Sequence, residues 1–140
     1  MKRILVVDDD ALVRTVLRNI LEYEGYEVVV ASNGKVALEL NRQKQADLVI
    51  IDILMPEKDG VETIVELKET YPETVLIAMS GGGHQGPEFY LKIAKTLGVT
   101  RTFRKPIERE KLLALIRESA DEEPVGDLRG EGIQAKTGVL

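Results

Sequence analysis

A chain of 140 residues has the length of one domain and enough material to bury a substantial core. Its apolar share of 44% argues against wholesale disorder, no stretch approaches the roughly 20 apolar residues that span a bilayer, and no signal-peptide pattern opens it. A net charge of −5 without a basic block argues against contact with nucleic acid or anionic lipid, and the absence of cysteine excludes disulfides and thiolate metal sites, in keeping with a cytoplasmic setting.

From Lys2 to about Ser119, strand and helix signals alternate five times. Arg3 to Val7 reads as a strand, followed by a helix with apolar residues at Val13, Val16, Leu17, Ile20 and Leu21 and a stop at Gly25. Glu27 to Ala31 is a β-branched strand, and Ser32-Asn33-Gly34 starts a helix through Val36, Ala37, Leu38 and Leu40. Asp47 to Asp52, the most apolar strand, is expected at the centre of the sheet. A third helix carries Val61, Ile64, Val65 and Leu67 and ends at Tyr71-Pro72, after which Val75 to Met79 forms the fourth strand. A glycine-rich loop from Ser80 to Pro87 leads to a helix from Glu88 to Leu97, a weaker strand from Arg101 to Arg104, and a last helix lined by Leu112, Leu113, Leu115 and Ile116. Such alternation with short connections predicts an α/β fold, a doubly wound parallel sheet with helices on both faces. The expected domain spans residues 1–120. Residues 121–140, rich in acidic residues and glycine and without periodicity, read as a flexible C-terminal tail, or alternatively as a docking peptide using Val125, Leu128 and Ile133.

Polar residues at the carboxyl ends of neighbouring parallel strands gather in one crevice. Here those residues are Asp8-Asp9-Asp10, Asp52, Ser80 and Lys105. Clustered carboxylates repel by about 4 kcal/mol per pair at ~4 Å and an effective dielectric near 20, so they call for a cation or a raised pKa. Mg²⁺ suits an all-oxygen set, and an aspartate can form an acyl phosphate. Asp10 abuts the first helix and reads as its N-cap. Asp59-Gly60 reads as a turn and helix start, Pro56 as a loop-shaping residue, and His84 as a solvated imidazole. Gly81 to Gly86 matches the spacing of a dinucleotide-binding loop, but it follows the fourth strand and no acid ends the next one. It fails as a P-loop too, because Pro87-Glu88 stands where Lys-Ser is needed.

Taken in order, Ile4-Leu5-Val6-Val7-Asp8-Asp9-Asp10, Asp52-Ile53-Leu54-Met55-Pro56-Glu57-Lys58-Asp59-Gly60, Met79-Ser80-Gly81 and Lys105-Pro106 resemble the receiver domain of bacterial two-component response regulators. The resemblance implies a five-stranded flavodoxin-like (CheY-like) sheet of strand order 2-1-3-4-5. It implies that Asp52 is the phosphoacceptor for a sensor histidine kinase, and that Asp8, Asp9 and Asp52 with the Leu54 carbonyl hold Mg²⁺. Ser80 and Lys105 then bind the phosphoryl oxygens, with the Gly81 amide as a further donor, and the Lys105-Pro106 peptide is cis. Gly81, lacking a side chain, is expected to leave room for the phosphoryl group. The function implied is a stand-alone receiver, not an enzyme acting on a separate substrate. It would catalyse its own phosphotransfer and autodephosphorylation, and switch an unknown downstream protein or relay phosphate to a histidine phosphotransfer protein.

Two departures from the family pattern matter. The position three before the lysine, usually Tyr or Phe and part of the switch with Ser80, is Thr102 here; Phe103 should face the core instead. Leu54 and Gly82 occupy the positions that tune phosphoryl loss, and neither side chain can orient a water, so slow hydrolysis is expected. Two competing functions fit the residues less well. A Mg²⁺-dependent aspartyl-phosphate phosphatase of the haloacid dehalogenase type needs an acid two residues after its nucleophile, where Leu54 stands. A degenerate receiver used only for binding has no need of the complete acidic, hydroxyl and amine set.

Overall fold

A computed structural model describes residues 3–55, 60–81 and 86–121. Five strands alternate with five helices: β1 (Arg3–Val7), α1 (Ala11–Tyr23), β2 (Glu27–Ala31), α2 (Gly34–Gln43), β3 (Leu48–Asp52), α3 (Gly60–Thr70), β4 (Val75–Ser80), α4 (Pro87–Thr96), β5 (Arg101–Arg104) and α5 (Arg109–Asp121). The strands form one parallel sheet of order β2-β1-β3-β4-β5, as expected. Expectations concerning Pro56, Asp59, Gly82, His84 and all but the first residue of the 121–140 tail lie outside the described residues.

The sheet divides the core by the two-residue period of its strands. Ile4, Val6, Leu48, Ile50, Ile77 and Met79 face one way and pack against Leu17 and Leu21 of α1 and Leu112, Leu113 and Ile116 of α5. Leu5, Val7, Val49, Ile51, Leu76 and Ala78 face the other way, onto Ala37 of α2, Ile64 and Leu67 of α3, and Ala94 of α4. Every residue of β3 is buried, which is why its sequence runs apolar without alternation.

Local signals set the element ends. Asp10 caps α1 by accepting from the Leu12 amide, and Asn33 caps α2 by accepting from that of Val36. Gly25, at φ +96°, ends α1: its amide bonds the Glu22 carbonyl while that of Tyr26 bonds the Leu21 carbonyl. Four boundaries differ from the sequence reading, one of them the end of α4, at Thr96 in place of Leu97. β3 starts at Leu48, and Asp47 stands exposed just before it with its carboxylate on the Arg3 amide at 2.9 Å. β4 runs on to Ser80, which is in register with Arg104. Pro87 joins α4 as its first residue, where a missing N–H costs nothing.

Candidate functional site

The sheet's winding reverses between β1 and β3, and the loops beyond their carboxyl ends open a crevice there. β1 delivers Asp8 and Asp9 to it and β3 delivers Asp52. Carboxylate oxygens of these three residues lie within 4.8 Å of one another. Asp8 is fully buried, Asp52 is 5% exposed, and Asp9 reaches solvent.

Lys105, just past β5, closes the group. Its Nζ stands 2.8 Å from Asp8 Oδ2 and 2.9 Å from Asp52 Oδ2. Its own amide is anchored to the Ser80 carbonyl at 3.0 Å, so the lysine backbone extends the β4–β5 ladder into the site. The Lys105-Pro106 peptide is cis. The other carboxylate oxygens are held from the main chain: Asp8 Oδ1 accepts from the Asp10 amide at 2.9 Å and Asp52 Oδ1 from that of Leu54 at 3.0 Å.

Burial pushes the Asp52 carboxyl above its usual range; the Lys105 hydrogen bond, the Leu54 amide and the lysine charge pull the other way, and the charge of Asp8 adds to the rise. For Lys105, burial opposes the charged form, but bonds to Asp8 and Asp52 and their charges outweigh it, so the ammonium is held above its ordinary value. At such separations each carboxylate pair repels by roughly 3–4 kcal/mol at an effective dielectric of 20. Among the described residues the three carboxylates share one ammonium, so the cluster keeps an anionic excess that a divalent cation would offset. The donors are all oxygens, as a hard ion such as Mg²⁺ requires. Ser80 is fully buried, and its hydroxyl has no hydrogen-bond partner among the described residues. A buried hydroxyl without a partner is costly, and a ligand oxygen would supply one.

The expected residues are therefore brought to one place, with qualifications. Asp52, Leu54, Gly81, Lys105 and Pro106 line an open depression. Gly81 has a different neighbour from the one expected: a Cβ there would lie 2.6 Å from Lys105 Cβ and 2.9 Å from its Cδ. The space beside this glycine is filled by the lysine stem. Thr102 lies away from the acids, half-buried in a groove with Leu91, Lys92 and Lys95 of α4. Phe103 packs against the α1/α5 core, as its position in the strand suggested, yet stays half-buried.

Two residues escaped the sequence reading. Gly60 starts α3, as its sequence suggests, but its Cα also presses against the end of β3, where a Cβ would meet Ile53 Cα at 2.3 Å and the Asp52 carbonyl oxygen at 2.4 Å. Arg14 of α1 reaches back to donate from Nη1 to the Asp8 carbonyl at 2.8 Å. Its spacing of four from the helix cap was the one available signal.

The model of the response regulator receiver domain matches residues 4–117. This chain belongs to that family. The receiver is 34% identical over 117 residues to the transcriptional regulatory protein CpxR of Escherichia coli, covering 84% of this chain and 48% of CpxR. It is 40% identical over 85 residues to the chemotaxis protein CheY of Thermotoga maritima, covering 60% of this chain and 71% of CheY. It superposes on a CheY-like receiver domain protein from Methanospirillum hungatei with a TM-score of 0.78 at 29% identity, covering 86% of this chain and 94% of that one. The receiver spans about half the length of CpxR, 48%. No helix among its described residues is long and apolar enough to cross a membrane.

Proposed function

We propose that this receiver takes a phosphoryl group on Asp52 from a phosphohistidine, on a sensor histidine kinase or a histidine phosphotransfer protein. An Asp52 carboxylate oxygen would attack phosphorus as the bond from phosphorus to the histidine nitrogen breaks; with the other ring nitrogen of the phosphohistidine already protonated, the products are an acyl phosphate and a neutral imidazole. Phosphoryl transfer asks for alignment and charge neutralisation more than covalent work from the protein. Asp8, Asp9, Asp52 and the Leu54 carbonyl would hold Mg²⁺, which when bound neutralises charge on the phosphoryl oxygens. The Lys105 ammonium, the Ser80 hydroxyl and the Gly81 amide would bind those oxygens, and Lys105 would exchange a carboxylate partner for the new anion.

The observation that carries this reading is the single ammonium shared between Asp8 and Asp52 inside a three-carboxylate cluster. A phosphatase acting on separate substrates gains nothing from Leu54, whose side chain has no proton to give. We also propose that residues 1–120 work as a self-contained receiver, with 121–140 as its tail, and that the output is a contact with another protein. The face built by α4, β5 and α5 suits that role, with Thr102 and Ser80 as the switch positions; Lys92, Lys95 and Arg104 rim its groove. Intact mass after incubation with Mg²⁺ and a small acyl phosphate tests the acceptor. Wild type should gain one phosphoryl group and Asp52→Asn none. A gain retained in Asp52→Asn would move the acceptor elsewhere.

A further inference from the structure

The three carboxylates of the cluster are not held alike. Asp8 and Asp52 each have one oxygen on a backbone amide and the other on Lys105. Asp9 is exposed, and among the described residues its side chain makes no hydrogen bond or ion pair. Among the described residues, what positions it is its own main chain. The Asp8 carbonyl and the Asp9 N–H belong to one planar peptide unit, so whatever fixes that carbonyl fixes the plane from which Asp9 departs. That fixing group is Arg14, whose Nη1 donates to the carbonyl at 2.8 Å. Arg14 sits in the first turn of α1, its amide bonded to the Asp10 carbonyl, and helical side chains lean back toward the N-terminus, over the β1–α1 turn. The Asp8 amide, for its part, is tied to the Ala31 carbonyl at 3.1 Å. The peptide before Asp8 is thus pinned by the sheet and the peptide after it by one guanidinium.

We infer that Arg14 is a positioning residue for Asp9: by clamping the Asp8–Asp9 peptide it aims the exposed carboxylate at the point where Asp8 and Asp52 converge. The inference rests on reading these three aspartates as a divalent-ion site. Mn²⁺ is a suitable probe, because the free ion is counted directly by paramagnetic resonance without any phosphodonor. Groups that orient metal ligands commonly contribute 10–100-fold to affinity; since this contact is to backbone, Arg14→Ala should weaken Mn²⁺ binding by about tenfold. Arg14→Lys, which keeps a charged donor, should recover part of the loss and guards against failure of the alanine variant to fold. The decisive comparison repeats Arg14→Ala in an Asp9→Asn background, where it should change Mn²⁺ affinity little, because the carboxylate it aims is gone. Wild-type affinity in Arg14→Ala, or an equal loss in both backgrounds, would overturn the inference and leave Arg14 as a general support of the fold. Failure of the unsubstituted protein to take up Mn²⁺ would instead remove the ion-site reading, and this inference with it.

Discussion

Gly60→Ala offers the sharpest test of how the site is built. In an exposed helix the change would help, since alanine exceeds glycine in helix propensity by about 1 kcal/mol. Here the added methyl would lie 2.3 Å from Ile53 Cα and 2.4 Å from the Asp52 carbonyl oxygen. Carbon atoms pack best at about 3.5–4.0 Å, so α3 and the end of β3 would have to part by roughly 1 Å. The obstacles are main-chain atoms, which no change of rotamer can clear. Overpacking of ordinary side chains costs about 1–3 kcal/mol, and a backbone clash belongs at the upper end. We therefore expect Gly60→Ala to lose about 3 kcal/mol in urea denaturation, with the sign opposite to helix propensity. The displaced segment carries Asp52, so labelling by a small acyl phosphate at saturating Mg²⁺ should slow as well. Unchanged or increased stability together with wild-type labelling would refute the close-approach argument.

Other outcomes follow from the same site. Without a divalent ion, Asp52→Asn should melt at a higher temperature than wild type, because it removes one of three mutually repelling carboxylates, and it should lose most of the thermal gain that Mg²⁺ gives wild type. Equal melting points and equal Mg²⁺ gains in the two proteins would contradict this. Lys105→Met keeps the stem beside Gly81 but leaves the buried Asp8 without its cation, so denaturation should reveal a loss of about 3–5 kcal/mol, partly restored by Mg²⁺. A Lys105→Met protein as stable as wild type would show the pair to be dispensable. Leu54, with its exposed apolar side chain, cannot orient an attacking water, so phosphoryl loss from the labelled protein should be slow; release within seconds, followed by mass, would count against that.

The fold was legible because its strongest signals are local. β3 is buried along its whole length and reads as an unbroken apolar run, while α1 shows its buried residues at helical spacing and its cap at Asp10. The site residues were legible because parallel strands place their next residues on one edge, and Asp8, Asp52 and Lys105 each sit there. What escaped depends on the approach of segments distant in sequence. No local pattern says that α3 lies so close to β3 that Gly60 can carry no side chain, or that the lysine stem, rather than a ligand, fills the space at Gly81. Ser80 reads in the sequence as the residue after β4, yet it belongs to the ladder, because pairing with Arg104 extends the strand by one residue.

The complete enclosure of Asp8 bears on how the cluster behaves in saline media. Dissolved monovalent ions shield charges that face water, and of the three acids only Asp9 is exposed. The pull of Asp8 on an incoming dication is therefore shielded from outside far less. Ionic strength that silences the exposed pairs of this chain, such as Arg18–Glu22 at 3.7 Å, should leave much of that attraction intact.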